Sequence, residues 1–245
     1  MQIPKNVLAN ADDFGYSSSV NKAILLCYER GIINSTSLMT NTEGFYDAVE
    51  KIHSNSAITN IGVHVDLAEL RPITNIDPFF LNETGGWNIS VTGSLMRYFS
   101  SAQKDALYKE IVAQVNRAID QKIFITHIDS HLHLHTLPAF IGIFSQVAKE
   151  YRLKLRLAQT YRQGSFTKYL YRYIINQKLI RKELNYSDRF ETIEYFLSKY
   201  PNSNIARKTE LMLHPDLDAN GNLVDHYDSN TMIRWLDFLG QPYTS

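Results

Sequence analysis

The residues best suited to chemistry in this 245-residue chain are histidines gathered in one short run. Half of its eight histidines lie between Thr126 and Pro138, in the sequence THIDSHLHLHTLP. Apolar residues and one serine separate the polar side chains, which would therefore share one face of an extended strand. They are His127, Asp129, His131, His133 and His135. Imidazole and carboxylate are ligands of zinc and other divalent cations, whereas a lone histidine is more often a hydrogen-bonded core residue. Strict alternation favours a metal or catalytic site, but one strand cannot aim all four histidines at one ion.

Two adjacent carboxylates, Asp12 and Asp13, follow a short apolar run near the N-terminus. Either could instead cap the helix that follows them. Their repulsion is relieved when one carboxylate binds a cation and its neighbour stays free as a base. A cation held by one aspartate and two histidines keeps positions open for water and substrate, as catalytic sites do. These parts predict metal-assisted hydrolysis of an amide or ester, with His214 as the candidate that protonates the leaving group.

The composition restricts the class of protein. The chain has 25 lysine and arginine residues and 25 aspartate and glutamate residues, so its formal net charge is zero. There is no global basic field to attract nucleic acid or an anionic membrane. The single cysteine, Cys27, excludes an internal disulfide framework. The N-terminal residues lack the apolar core of a signal peptide, and no apolar run approaches a membrane span. We expect a cytoplasmic protein without nucleic-acid or membrane partners, and a homodimer is an assembly that the sequence leaves open.

Apolar runs alternate with helical patterns along the chain, which predicts an α/β fold with parallel strands and helices outside. Strands are predicted at residues 6–10, 32–39, 60–67, 124–129, 153–158 and 208–213. Helices are predicted after Gly15, at 45–52 and 102–121, from Pro138 onward, and at 167–184, 188–199 and 230–239. No repeat or linker marks a boundary, so we expect one domain over residues 1–245. Six strands are too few for a closed eight-stranded barrel, so we expect a barrel-like (β/α) sheet that is distorted or incompletely closed.

The candidate residues lie where predicted strands end. Asp12 and Asp13 follow the first strand, His64 lies near the end of the third, His131 follows the fourth, and His214 follows the last. Since chemistry in parallel α/β folds gathers at the carboxyl ends of strands, we expect these side chains to meet at one rim.

The segment 68–92 has no periodicity and contains aromatic residues, among them Trp87. Irregular segments of this length are usually functional or disordered. The aromatic residues favour an ordered loop that faces a ligand, and a solvent flap pinned by one tryptophan is the alternative.

Four elements, in order and spacing, carry a resemblance to a known family. They are Asn10–Gly15 (NADDFG), Gly62–His64 (GVH), Thr126–Pro138 and Met212–Pro215 (MLHP). Together they resemble the YdjC-like carbohydrate deacetylases, which include the chitooligosaccharide deacetylases. The resemblance extends to about residue 216, while the segments 217–245 and 68–92 depart from the family pattern.

The resemblance implies a TIM-barrel-like fold and hydrolysis of the N-acetyl group of an amino sugar with one divalent cation. By position it implies Asp13, His64 and His131 as ligands, Asp12 as the base and His214 as the general acid. The side chains left for positions behind the ligands or for substrate contacts are His127, Asp129, His133, His135 and Trp87. Magnesium or zinc is expected first, with manganese, cobalt and nickel open by ligand type.

Two other functions compete with this interpretation. An amidohydrolase acting on a non-sugar amide also uses a His-x-His pair on an α/β barrel, but there the pair follows the first strand, and here it lies in mid-chain. A non-catalytic sugar-binding protein of the same fold would be favoured by loss of a ligand or the base, yet all five positions are intact. The sequence specifies neither the sugar nor its chain length and linkage.

Overall fold

The computed structural model describes residues 2–95, 97–200 and 205–242. Its centre is a seven-stranded sheet in the order β5-β4-β3-β2-β1-β7-β6, and each pairing within it is parallel. The strands are β1 (Val7–Phe14), β2 (Ser35–Leu38), β3 (Ile61–Val65), β4 (Ile125–Ser130), β5 (Lys154–Leu155), β6 (Arg189–Thr192) and β7 (Thr209–Leu213). Two further strands, β8 (Pro215–Leu217) and β9 (Leu223–Asp225), form a separate antiparallel hairpin.

Helices connect the consecutive strands of the sheet, as parallel order requires. They are α1 (Ser18–Glu29), α2 (Phe45–Ser54), α3 (Ile89–Thr92), α4 (Ser101–Asp120), α5 (Ile141–Glu150), α6 (Phe166–Arg181), α7 (Ile193–Lys199) and α8 (Ser229–Leu239), with 3₁₀ turns at Pro78–Phe80 and His131–Thr136. Ser17 caps α1 by accepting from the Val20 N–H, and Ser100 with Gln103 forms a capping box at α4. The predicted α/β class is confirmed.

The sheet curls toward a barrel without closing. Its edges are β5 and β6, and isolated backbone hydrogen bonds span the seam between them. The Tyr186 N–H donates to Leu155 over 3.1 Å, and the Thr160 N–H donates to Phe190 over 3.0 Å. The expectation of an incompletely closed barrel is therefore confirmed.

Several boundaries differ from the predicted elements. The first strand, predicted at 6–10, runs from Val7 to Phe14, so Asp12 and Asp13 lie within it rather than after it. Residues 188–199, predicted as one helix, divide into β6 and α7, because Thr192 ends the strand and caps the helix by accepting from the Tyr195 N–H. The predicted strand 153–158 shortens to the two residues of β5. Helix α5 begins at Ile141 rather than at Pro138, since the Leu137 carbonyl first accepts from Phe140 and Ile141 in a turn.

Strand β1 has one apolar and one polar buried face. Ala9 and Ala11 are fully buried, and so is Asn10, while Asp12 is 1% exposed. Buried polar groups need hydrogen-bond partners, and Asn10 Nδ2 donates to Asp12 Oδ1 over 2.7 Å. The polar face therefore begins a buried network that leads to the carboxyl end of the sheet.

Among the described residues, no helix is long and apolar enough to cross a membrane.

Candidate metal centre

Asp13, His64 and His131 come together at the carboxyl end of the sheet. Asp13 Oδ1 lies 3.2 Å from His64 Nε2 and 3.1 Å from His131 Nδ1. All three residues are buried, and each offers a ligand atom within 4.8 Å of the other two. The fold thus gathers the three residues that the family resemblance implies as ligands.

An irregularity near the end of β1 brings Asp13 into this cluster. Successive side chains of a regular strand point to opposite faces, so Asp12 and Asp13 would diverge. The pairing of β1 with β2 shifts register between Ala11 and Phe14, and Asp13 has a φ of 64°. Such backbone in a residue other than glycine costs of order 1–3 kcal/mol and is concentrated at functional sites. Gly15, with a φ of 97°, continues the turn.

The cluster stabilises positive charge. Burial alone would raise the pKa of the Asp13 carboxyl, but hydrogen bonds from His131 and His64 hold that pKa well below its usual range. Burial would lower the pKa of both histidines, yet Asp129 beside His64 and Asp13 beside His131 raise the pKa of each. A divalent cation can supply the same charge, because its binding releases protons from the ligands.

The donor set fits a divalent cation with open positions. Two imidazoles and one carboxylate form the protein part of many catalytic sites. His131 Nε2 is buried and accepts or donates no hydrogen bond among the described residues, and Glu69 Oε1 lies 3.6 Å from it. Glu69 was not among the predicted site residues and enters from the start of the segment 68–92.

Asp129 orients His64. The two residues are direct partners in the β3–β4 pairing, and Asp129 Oδ1 lies 2.7 Å from His64 Nδ1. A carboxylate that accepts from Nδ1–H leaves Nε2, the atom facing Asp13, without its proton and available to a cation. This contact favours a position behind the ligands for Asp129, one of the two roles that the sequence left open for it.

Arg156 was missed by the sequence analysis and is the main counter-charge of the site. It is fully buried just beyond β5. Its Nη1 and Nη2 donate to the two carboxylate oxygens of Asp12 over 2.6 and 2.7 Å. Nη2 also lies 2.7 Å from Asp129 Oδ2, and Nε donates to Glu210 over 2.7 Å. In the sequence, Arg156 could have been noticed only as a charged residue between two leucines of the apolar run LKLRLA.

The Arg156 guanidinium balances the negative charge of Asp12, the first of the two neighbouring aspartates. Burial would raise the pKa of Asp12, but the charge of Arg156 outweighs it and the pKa lies below its usual value. Asp12, His64 and Asp129 also lie within 4.8 Å of one another and could form a second cation site. Arg156 already balances both of those carboxylates, so the group around Asp13 is the better site.

His214 lies beside Asp12. Its Nε2 is 4.0 Å from Asp12 Oδ2, and its Nδ1 is 3.6 Å from Asp225 Oδ2. The same Asp225 oxygen accepts from the His214 backbone N–H over 2.7 Å. Asp225 ends β9, so the β8–β9 hairpin holds the candidate acid in place.

The hairpin also contributes a histidine that the sequence analysis missed. His226 follows β9, and its Nε2 lies 3.5 Å from Asp13 Oδ2. It belongs to the segment 217–245, which the sequence analysis placed outside the family pattern, and no motif marked it. Burial lowers the pKa of His226, which favours its neutral form.

The expectation that the histidine run shares one strand face is wrong beyond Ser130. Residues His131–Thr136 form a 3₁₀ turn in which Leu132 and His133 take positive φ angles of 50° and 56°. Ser130 stabilises this turn, since its Oγ accepts from the His135 N–H over 2.8 Å. The turn places only His131 of this run in the ligand cluster among the described residues.

The remaining histidines of the run lie elsewhere. His127 stacks on Tyr186 at 4.0 Å between ring centres, and burial lowers its pKa to about 3. His135 is fully buried, with its Nδ1 2.9 Å from Ser130 Oγ. His133 packs on Phe190 and lines a cavity, which leaves it as the best placed of the three for a substrate contact.

Trp87 lies in an aromatic cluster. It is 1% exposed, and its ring centre is 6.3 Å from that of Phe80, which in turn contacts Phe99. The segment 68–92 is ordered partly by Glu110 of α4, whose carboxylate accepts from the N–H groups of Ile73 and Thr74. This placement favours a packing role for Trp87 over a sugar contact.

Comparison with known proteins adds relatives of stated activity. Residues 6–238 match the sequence model of a family described as YdjC-like protein. The carbohydrate deacetylases of Vibrio campbellii and Brevibacillus brevis are 35% and 33% identical to this chain over 150 residues. The aligned region is 61% of this chain and 58% of each relative, so the chain spans less than two thirds of the length of these relatives.

Two solved structures share the fold. A candidate cellobiose-phosphate cleavage protein of Enterococcus faecalis superimposes with a TM-score of 0.67 at 21% identity, over 95% of this chain and 89% of that one. The lactam utilization protein of Thermus thermophilus superimposes with a TM-score of 0.52 at 11% identity, over 100% of this chain and 99% of that one. Both likenesses concern the fold alone.

Proposed function

This chain belongs to the YdjC-like protein family, and we propose that it is a metal-dependent hydrolase that removes the acetyl group from an N-acetylated amino sugar. The relatives named as carbohydrate deacetylases support the substrate class. The observation that carries the proposal is the buried cluster of Asp13, His64 and His131 next to an independently neutralised Asp12. The reaction consumes water, breaks the amide C–N bond, and yields acetate and a free amine.

Asp13, His64 and His131 would hold one divalent cation, which would supply Lewis-acid polarisation of the acetyl carbonyl when bound. Zinc and magnesium are the first candidates, and the ligand types leave manganese, cobalt and nickel open. Asp129 would fix the His64 ring through the 2.7 Å contact at Nδ1.

Asp12 would accept the proton of the attacking water. Its Oδ1 accepts from Asn10 and Arg156, whereas Oδ2 accepts from Arg156 Nη1. Each carboxylate oxygen offers two lone pairs, so Oδ2 retains one for the proton. The lowered pKa keeps Asp12 ionised near neutral pH, and the guanidinium fixes the direction of its carboxylate.

His214 would donate a proton to the amine nitrogen as the C–N bond breaks. The 4.0 Å between His214 Nε2 and Asp12 Oδ2 is too long for a hydrogen bond and short enough for both groups to serve one amide. Asp225, 3.6 Å from the other ring nitrogen, would balance the charge of the protonated ring.

The test is acetate release after controlled metal loading. Purified protein would be stripped with a chelator, reloaded with each of the five metals, and assayed on N-acetylglucosamine and its di- and trisaccharides. We expect chelation to abolish acetate release and at least one metal to restore it. Folded, metal-loaded protein that hydrolyses only non-sugar amides would point to the amidohydrolase alternative. Sugar binding without acetate release from any member of the panel would point to a binding protein.

A further inference from the structure

A buried chain of hydrogen bonds reaches Asp12 from the segment between α6 and β6. Asn10 Nδ2 donates to Asp12 Oδ1 over 2.7 Å. Asn10 Oδ1 lies 2.6 Å from Ser35 Oγ on β2, and that hydroxyl lies 2.9 Å from the hydroxyl of Tyr186. All four residues are buried, so little water competes for these bonds.

The carboxylate of Asp12 determines the direction of each bond in this chain. An ionised carboxylate only accepts, so the NH₂ group of Asn10 faces Asp12 and its carbonyl oxygen faces Ser35. Ser35 must then donate its single hydroxyl proton to Asn10 Oδ1. The Ser35 oxygen is left as an acceptor, so the Tyr186 hydroxyl donates to it.

A second acceptor competes for the Ser35 proton. The Asn60 carbonyl oxygen lies 3.1 Å from Ser35 Oγ, farther than the 2.6 Å to Asn10 Oδ1. That carbonyl also accepts from the Thr36 N–H over 3.3 Å, so it has a partner without Ser35. The shorter contact favours Asn10 as the acceptor.

We propose that Ser35 and Tyr186 are positioning residues for the base, because they fix the amide of Asn10 and, through it, the carboxylate of Asp12. Without the Ser35 proton, the Asn10 carbonyl would be buried and unpaired, and its amide could rotate away from Asp12. Arg156 would still hold both carboxylate oxygens, so we expect a partial loss of turnover. This inference rests on the proposed function, because it concerns the group proposed there as the base.

A double-mutant cycle tests the chain by turnover. Ser35→Ala should lower kcat about 2- to 13-fold, the range for one net hydrogen bond, with KM and metal affinity unchanged. Tyr186→Phe keeps the ring that stacks on His127 and should lower kcat about 2- to 5-fold. In the double variant Tyr186→Phe should add nothing, because it acts through the Ser35 hydroxyl. Additive losses in kcat, or an unchanged kcat in Ser35→Ala, would overturn the proposal.

Two matched variants control for the loss of a buried hydroxyl. Thr209→Val removes a hydroxyl that donates to the Arg207 carbonyl over 3.0 Å at the start of β7. Tyr28→Phe removes one that donates to the Thr59 carbonyl over 2.6 Å. Both should lower the free energy of unfolding and leave kcat per bound metal unchanged. An equal fall of kcat in these controls would show a structural effect and contradict the positioning role.

A spectroscopic measurement separates this proposal from the proposed function. In metal-free protein labelled with ¹⁵N, the side-chain amide protons of Asn10 should exchange with water more slowly in the wild type than in Ser35→Ala. Tyr186→Phe, the milder change, gives the same comparison if Ser35→Ala does not fold, and Thr209→Val should leave the rate unchanged. Faster exchange in the test variants supports the positioning chain even if no saccharide releases acetate. An unchanged exchange rate overturns it, whatever the deacetylase assay gives.

Discussion

Substitution of the two neighbouring aspartates separates the base from the metal ligand. Asp12→Asn keeps the size of the side chain but removes the oxygen charge that would accept a proton. Asp13→Asn replaces the carboxylate that lies 3.1–3.2 Å from the two histidines with a neutral amide. We expect Asp12→Asn to retain metal and lose turnover, and Asp13→Asn to lose metal affinity, with partial rescue by excess metal.

The remaining contacts of Arg156 determine how much stability the Asp12→Asn variant should lose. Loss of a general base lowers turnover about 10²- to 10⁴-fold, or about 2.7–5.5 kcal/mol in the barrier. Breaking an isolated buried ion pair costs about 3–5 kcal/mol of stability. Here Asp129 and Glu210 still contact the guanidinium, so we expect the smaller cost of one charged hydrogen bond, about 1.5–3 kcal/mol. Burial raises the pKa of Glu210 to about 7, with Asp12 adding to the effect, so Glu210 would ionise more readily in the variant.

The assay combines metal titration, steady-state turnover and urea unfolding on both variants. The Asp12→Asn protein should unfold with an unchanged denaturant slope and bind metal within a few-fold of wild type, while its turnover falls. If Asp12→Asn loses the metal and Asp13→Asn keeps it, the roles are reversed. Turnover of Asp12→Asn within about threefold of wild type would show that another group accepts the proton.

Three further predictions address the ligands, the loop and the buried histidines. His64→Ala and His131→Ala should each lower metal content and activity together, measured by elemental analysis alongside acetate release, and full occupancy in both would refute the ligand assignment. Trp87→Ala should cost about 3–5 kcal/mol in urea unfolding, as for other buried aromatic residues, and leave KM nearly unchanged; a large rise in KM at normal stability would restore the sugar-contact hypothesis. The buried ring of His127 has a pKa of about 3, so below about pH 6.5 it takes up a proton mainly in the unfolded chain. The free energy of unfolding should therefore fall by up to about 1.4 kcal/mol for each pH unit below about 6.5. His127→Gln should flatten that slope, and an equal slope in the variant would assign the acid sensitivity to other groups.

The sequence predicted the convergence of the ligands because parallel strands end at the same rim. Asp13, His64 and His131 needed only their positions at the ends of three strands to be expected together. The predicted alternation of side chains fails after Ser130, where a side chain competes with the strand for a backbone hydrogen bond. Ser130 Oγ accepts the His135 N–H, and this local bond favours a turn at the point where the histidine pattern suggested that the strand continues.

Contacts between residues far apart in sequence were harder to predict. Arg156 joins Asp12, Asp129 and Glu210, which lie on β1, β4 and β7, and no spacing rule links them. Its alternation with leucines was compatible with an ordinary strand whose polar face meets solvent, and Lys154 of the same run is indeed exposed. Arg156 instead lies just beyond the end of β5 and is fully buried. His226 was missed for a related reason, since the β8–β9 hairpin brings it to Asp13 without any motif.

The different roles proposed for the two adjacent aspartates rest on one backbone angle and one guanidinium. In a regular strand Asp12 would share the inner face with Asn10, and Asp13 would point outward among the helices. The φ of 64° at Asp13 breaks that alternation and brings both carboxylates to the same rim. Two carboxylates so close cannot both stay ionised without counter-charge. Arg156 supplies it to Asp12, while histidines are the basic side chains in contact with Asp13. The raised pKa values of His64 and His131 show that positive charge is favourable beside Asp13, and a cation bound there would supply that charge in place of their protons. Asp12, balanced by Arg156, is then the carboxylate that we propose as the base.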